Sequence, residues 1–302
     1  MKVIVKIRSI IFLFSVILIS ILTFQGCTNK QTNEKPKPIN LTFESHGSTL
    51  QGVFYPGNFN QPSSTVILLH GYPGGRTAPL GLGAKLMNAG INALFFNCRG
   101  VYDSEGIFTV RNYLQDVTAA VNFLHSTAMT DGFGVDTTNL SILGWSFGGS
   151  MAFIGSIDNP SLKNVITVEA GDFGHIAREF QTDEKTLKVY KHILSKTMSD
   201  SGQVKGLGPD DTIDEIIQME KQLDLVLNAE HLANKNILII AGWKDEGTLE
   251  NQILPLFRAL QKHKAKNVEI EMFNDGHRFK NVREELADVI IEWIKKNTVI
   301  TQ

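Results

Sequence analysis

The chain has 302 residues, 42% of them hydrophobic, two cysteines and a formal net charge of −2. That length is enough to bury one large core, and the near-neutral balance offers no basic surface for nucleic acid. No Cys/His spacing fits a structural zinc, so neither a polyanion partner nor a metal is expected.

In chain order, the N-terminus reads as an export signal and not as part of the fold. Lys2, Lys6 and Arg8 precede an apolar run over 10–24. At about 15 residues this run suits the core of a signal peptide and is short for a membrane span. Leu22-Thr23-Phe24-Gln25-Gly26-Cys27 resembles a bacterial lipobox, in which the cysteine is lipidated and becomes the mature N-terminus. The resemblance implies a lipoprotein-type signal peptide over 1–26, lipid attachment at Cys27, and an exported protein held to a membrane of the bacterial cell envelope. Residues 27–38 would then be a polar tether, since their Asn/Gln/Thr/Lys/Pro content is that of an unfolded linker. The alternative is an ordinary signal peptide or uncleaved anchor with Cys27 an incidental thiol. Cys98 has no partner once Cys27 is lipidated, and no disulfide is predicted.

From residue 39 the pattern becomes that of a folded domain. Segments 40–44 and 49–55 flank Ser45-His46-Gly47-Ser48 as a hairpin, with His46 a turn residue. Residues 65–69 form a continuous apolar run, as expected of a strand covered on both faces. A helix over 78–89, a strand over 91–96, a helix over 111–126 and a strand over 140–143 follow. Residues 150–154 read as the first turns of a helix, and 164–168 as the sixth strand. Residues 173–234 are charged and helix-like, clearest over 185–195 and 214–227, with a flexible break over 199–209. Strand 236–241, helix 251–263, an alternating edge-type strand over 268–273 and an amphipathic helix over 282–296 complete the chain. This alternation predicts an α/β domain over 39–302 with a mostly parallel eight-stranded sheet flanked by helices. Active residues should collect at the carboxyl ends of its strands.

The stretch that organises the chain is Gly144-Trp145-Ser146-Phe147-Gly148-Gly149. A strand that turns straight into a helix must bend sharply, and Ser146 stands at the apex. Glycines at 144 and 148 allow the bend, because side chains there would collide with the crossing backbone. This G-x-S-x-G pattern resembles the nucleophile elbow of the α/β-hydrolases. His70-Gly71-Tyr72-Pro73-Gly74-Gly75, after the third strand, is similar to the family's His-Gly-x-Pro-Gly turn. Pro73 has no N–H to donate, so Tyr72 or Gly71 must. The resemblance assigns Tyr72, together with Phe147, to an oxyanion hole. Residues 99–106 resemble the family's Arg-Gly-x-Gly-x-Ser-x-Gly loop, with Tyr102 where that pattern has glycine. Arg99, Asp103 and Ser104 read as loop braces.

Asp245, past the seventh strand, matches the family's Gly-x-x-Asp position. Glu246 beside it, and Glu169 or Asp172 at the end of the sixth strand, are the rival acids. His277 lies in a Gly-containing loop after the last strand, where the family places its base. A histidine with the usual pKa of about 6.5 can take and return a proton near neutral pH. His263 is the rival base, but it sits at a helix end where dipole compensation is the simpler account. The order Ser146, Asp245, His277 is that of the α/β-hydrolases.

The resemblance covers about residues 40–298 and lies nearest the prolyl-oligopeptidase-like and serine-aminopeptidase-like members. It implies a serine hydrolase working through an acyl-enzyme on a small-molecule ester, with a peptide or amide as second choice. No cofactor is implied. Residues 173–234 would be a cap over the site. Its apolar positions Leu187, Tyr190, Leu194, Ile216, Ile217, Met219, Leu223 and Val226 either line an acyl pocket or are the ordinary buried faces of helices. The other function classes are a non-catalytic surface lipoprotein on a hydrolase scaffold and an acyl transferase whose acceptor is not water.

Overall fold

In the computed structural model, β1 (Ile39–Ser45) and β2 (Ser48–Tyr55) form an antiparallel hairpin. Its two-residue turn puts both His46 and Gly47 at positive φ, 48° and 77°, as the favoured hairpin turn requires. The structure describes residues 36–58, 61–200 and 202–298. The predicted signal peptide and Cys27 lie outside them.

Strands β3 (Ser63–Leu69), β4 (Asn92–Phe96), β5 (Val135–Trp145), β6 (Leu162–Val168) and β7 (Asn236–Gly242) form the buried centre of the sheet. Their side chains feed two cores, one on each face. In β3, Ile67 and Leu69 join one core while Val66 and Leu68 join the other. Burial on both faces is why these strands read as unbroken apolar runs. β8 (Asn267–Phe273), at one edge of the sheet, is half-buried along most of its length. The order is β1-β2-β4-β3-β5-β6-β7-β8, antiparallel through β1, β2 and β4 and parallel from β4 onward.

The helices are α1 (Leu82–Asn88), α2 (Val110–Leu124), α3 (Thr127–Phe133), α4 (Phe147–Gly155), α5 (Phe173–Thr182), α6 (Glu184–Ser195), α7 (Pro209–Gln218), α8 (Leu254–Lys262) and α9 (Arg283–Lys296). Leu82, Leu86, Leu286 and Ile290 of α1 and α9 cover one face. Val117, Met151 and Leu260 of α2, α4 and α8 cover the other. Among the described residues no helix is long and apolar enough to cross a membrane.

Several boundaries differ from the sequence expectation; β5, expected over 140–143, begins at Val135. Helix α1 begins only at Leu82, because Leu80 and Gly81 have φ of 56° and 73°, outside the helical range. Helix α7 starts at Pro209, which suits a first helical position, and stops at Gln218.

The loop after β4 is held from below. The Asp116 carboxylate, fully buried in α2, accepts from the Arg99 side chain at 2.7 Å, the Arg99 N–H at 2.8 Å and the Ser45 hydroxyl at 2.6 Å. The Ser104 hydroxyl donates to the Asn97 carbonyl and accepts from the Gln51 N–H. Asp103 instead pairs with Arg76 on the surface. Tyr102 has φ 49°, a left-handed value that glycine adopts more readily than a residue with a side chain.

The stretch expected to be a flexible break is bonded to this loop. Tyr102 N–H donates to Gln203 O, Lys205 N–H to Gly100 O, and Phe108 N–H to Lys205 O, at 2.7–2.8 Å. A Cβ on Gly100 would stand 2.2 Å from the Phe108 nitrogen and 2.5 Å from the Lys205 oxygen. The close approach of the two segments therefore requires glycine.

Removing Asp116 strands a buried guanidinium, which typically costs about 3–5 kcal/mol. Asp116→Ala should lower the urea unfolding free energy by that amount. Asp103→Ala, which breaks only an exposed pair, should change it by less than about 1 kcal/mol.

Candidate active site

Ser146 stands between the last residue of β5 and the first of α4, with φ 56° and ψ −123°. That conformation is sparsely populated for a residue with a side chain. A Cβ on Gly144 would come within 1.9 Å of the Gly148 carbonyl oxygen, and one on Gly148 within 2.5 Å of the Leu69 oxygen. The Ser146 N–H donates to Val168 O at 2.8 Å, which ties the apex to the end of β6.

Two loops bring partners to the hydroxyl. His277 Nε2 lies 3.0 Å from Ser146 Oγ, and His277 Nδ1 lies 2.7 Å from Asp245 Oδ2. With Nδ1–H donating to the carboxylate, Nε2 is the acceptor that faces the serine hydroxyl. The bond from His277 holds the Asp245 carboxyl below the usual carboxylate range. The His277 loop is braced at three points. The Trp145 indole N–H donates to His277 O at 2.9 Å, the Asp275 carboxylate accepts from the Asn281 N–H at 2.7 Å, and the Lys244 N–H donates to Asp275 O at 3.0 Å. The last bond joins the loops that carry His277 and Asp245. Neither Trp145 nor Asp275 stands out in the sequence. Asp275 beside glycine is at most a turn signal, and Trp145 is 132 positions from its acceptor.

The rival acids and base are occupied elsewhere. Asp172 caps α5, accepting from the Gly174 and His175 N–H groups at 3.0 Å. Glu246 is the exposed first residue of a short turn of helix, Glu246–Thr248. His263 closes the end of α8.

Glu169 comes much closer. It is fully buried, has φ 47°, and offers a carboxylate oxygen within 4.8 Å of one carboxylate oxygen of Asp245 and one ring nitrogen of His277. One oxygen accepts from the Gly242 N–H, and the other is buried with no hydrogen-bond partner. Burial, with the Asp245 charge adding to it, pushes its pKa up to about 8. Near neutral pH it is therefore a neutral acid beside an ionised one. The three residues have the spacing of a metal site, but Asp245 Oδ2, His277 Nδ1 and one Glu169 oxygen already bond within the protein.

Phe147 is the first residue of α4, where the N–H has no intrahelical carbonyl to meet. The turn that carries Tyr72 packs against the same apex, since a Cβ on Gly71 would lie 3.0 Å from Ser146 Cβ. The Tyr72 hydroxyl and Thr197 Oγ1 are 2.5 Å apart, which links this turn to the segment between β6 and β7.

A cavity of about 180 Å³ opens beside Ser146. Tyr72, Phe108, Val110 and Phe147 form its floor, and Phe173, Tyr190, Ile193, Leu194, Thr212 and Ile216 of α5, α6 and α7 complete it. Of the apolar positions singled out in the sequence, Tyr190, Leu194 and Ile216 line the cavity. Leu187, Ile217, Met219, Leu223 and Val226 pack in the core or against it instead.

The sequence model of the prolyl oligopeptidase family matches residues 86–300. The uncharacterized protein YfhR of Salmonella typhi, and its counterpart in Salmonella typhimurium, are 32% identical over 114 residues. That match covers 36% of this chain and 37% of theirs. Among solved structures, an esterase of Pyrococcus furiosus superposes with TM-score 0.62 at 18% identity, covering 87% of this chain and 92% of that one. The α/β hydrolase GrgF of Penicillium gives 0.61 at 15%, covering 87% and 99%. An acylaminoacyl peptidase of Pyrococcus horikoshii gives 0.62 at 15%, covering 90% of this chain and 43% of that one. At these identities the likeness concerns the fold, which is that of the α/β-hydrolases.

The raised pKa of Glu169 has a signed consequence for stability. Between the ordinary 4.5 and about 8, the folded state keeps a proton that the unfolded state has lost. Stability therefore falls as pH rises through that window, by up to ~1.4 kcal/mol per pH unit. Glu169→Gln should remove the slope. In urea unfolding at pH 5.5 and 7.5, the variant should gain on the wild type at the higher pH.

Proposed function

The chain belongs to the prolyl oligopeptidase family, and from that premise we propose that it is a serine hydrolase of carboxylic esters. Ser146 is the nucleophile, His277 the general base and acid, and Asp245 the carboxylate that orients His277. The N–H groups of Phe147 and Tyr72 form the oxyanion hole. The observation that carries this reading is the unbroken hydrogen-bond chain from Asp245 Oδ2 through His277 to Ser146 Oγ, built on an elbow with no room for a side chain at Gly144 or Gly148.

Ser146 Oγ attacks the ester carbonyl carbon while His277 Nε2 takes its proton, and Asp245 stabilises the imidazolium. The oxyanion is met by two backbone donors, each typically worth roughly 2.7–4 kcal/mol of barrier. His277 then gives the proton to the departing alcohol and the C–O bond breaks, leaving an acyl-serine. Water, activated by His277 in turn, releases the acid and restores the hydroxyl. The uncharged lining of the cavity at Ser146 suits a neutral acyl group, and the ester is put first on leaving-group chemistry. An alcohol needs less help to leave than an amine.

The leader belongs to the same proposal. Residues 1–26 direct export, Cys27 carries the lipid, and 27–38 tether the domain to a membrane of the cell envelope, where it meets its small-molecule substrate. The segment over 173–234 is the cap.

Detergent-solubilised full-length protein should react with a fluorophosphonate probe and hydrolyse p-nitrophenyl esters. Ser146→Ala and His277→Ala should abolish both, and Asp245→Asn should lower kcat by roughly 10⁴-fold. A folded wild type that takes up no probe would show the serine is not activated and leave the binding-protein alternative. Product analysis with added alcohols separates hydrolysis from acyl transfer. For the leader, Cys27→Ala should move the protein out of the membrane fraction; undiminished attachment would rule out the lipid.

A further inference from the structure

We propose that the cavity beside Ser146 is an acyl site that takes one uncharged, apolar acyl group of about six to eight carbons, straight or monocyclic, while the alcohol side is left unconstrained. The inference rests on the serine hydrolase reading and extends it to the substrate.

The direction follows from who lines the cavity. The leaving oxygen must meet His277 Nε2, which lies 3.0 Å from Ser146 Oγ, because that nitrogen protonates it. His277 is not among the residues around the cavity, whereas Tyr72 and Phe147, whose N–H groups face the carbonyl oxygen, both are. The remaining substituent of the carbonyl carbon, the acyl chain, is the one that points into the cavity. The alcohol departs on the side of His277, whose side chain is 41% exposed.

Size and chemistry set the occupant. An apolar cavity of about 150 Å³ holds one benzene, so about 180 Å³ holds a six-carbon ring or chain with little more than one or two further carbons. None of the lining residues is charged. The Thr212 hydroxyl already donates to Gly208 O at 2.7 Å, and the Tyr72 hydroxyl is engaged by Thr197, which leaves the neutral Tyr190 hydroxyl on the wall. An ammonium or carboxylate there would be desolvated without a charged partner, at a cost of several kcal/mol. Acyl groups with a free α-amine or a second acid are therefore excluded.

The lining is packed on itself. Ring contacts run from Phe147 to Phe173, with centroids 4.7 Å apart, and from Phe173 to Tyr190 at 6.4 Å. Phe108, another lining residue, is held through its N–H by the Lys205 carbonyl.

The test is a chain-length series on detergent-solubilised full-length protein, using p-nitrophenyl esters of two to twelve carbons. A matching series of alkyl fluorophosphonates reads the same cavity without turnover. In both, kcat/KM or the inactivation rate should peak at six to eight carbons. Ile216→Trp, which fills the cavity, should lower hexanoate relative to acetate by roughly tenfold or more. Ile216→Ala should move the optimum to longer chains, so that one folded variant suffices. Exchanging p-nitrophenol for 4-methylumbelliferone should leave the optimum in place.

Ser146-dependent turnover or labelling that is indifferent to chain length, or an optimum that neither variant moves, overturns the acyl site alone. If no ester is turned over, the fluorophosphonate series still decides the acyl site. No reaction in either series, with wild type folded, overturns the hydrolase reading and the acyl site with it.

Discussion

The structure depends on a backbone crossing. Where β5 turns into α4, the chain passes so close to itself that a single methyl group on Gly144 would stand 1.9 Å from the Gly148 oxygen. Ser146 has no freedom left at that point, and its strained φ is the result. Strain of this kind costs of order 1–3 kcal/mol and persists only where surrounding structure over-determines it. Here the Val168 carbonyl, the Leu69 carbonyl and the start of α4 together do so. A hydroxyl that would otherwise sample several positions is fixed at the end of the sheet, toward which the loops after β7 and β8 also converge.

Two carboxylates approach His277, and the backbone decides which one it bonds. Asp245 sits in a partly open turn after β7 and stays ionised against the imidazole. Glu169 is sealed under it, one oxygen committed to the Gly242 N–H and its charge suppressed by burial. Desolvation separates the two acids by their proton affinity, so the histidine faces one negative charge near neutral pH. A residue that stands beside the Asp245–His277 pair as an uncharged acid keeps the cluster free of the repulsion that two carboxylates would bring.

Much of this was legible in the sequence where the governing constraint is local. The elbow, the continuous strands and the helix spacing are short-range facts. The order of Ser146, Asp245 and His277 along the chain was enough to place all three at strand ends. What the sequence hid depends on contacts between distant segments. Helical periodicity marks Tyr190, Leu194, Ile216, Met219 and Leu223 alike as buried faces, and nothing in it tells a face against the core from a face against a cavity. Trp145 is an unassigned position of a five-residue motif until its indole meets the His277 carbonyl. Glu169 and Asp245 were both acids at strand ends, and only full burial distinguishes them. The 199–209 stretch read as loose because Gly, Ser and Pro signal turns, yet part of it pairs with residues 100–108. Tyr102, where the family's pattern has glycine, takes a positive φ.

The pairing at Gly100 and the Tyr72 to Thr197 contact bear on how such a protein can diversify. Inserts between β6 and β7 are easily pictured as exchangeable parts, swapped to change what the scaffold accepts. Here the insert touches the turn after β3 through a side-chain hydroxyl and the loop after β4 through its backbone. A transplanted insert would arrive without the matching glycine or the matching hydroxyl on the host side. Exchanging the segment between β6 and β7 therefore calls for matching changes in the two loops it bonds.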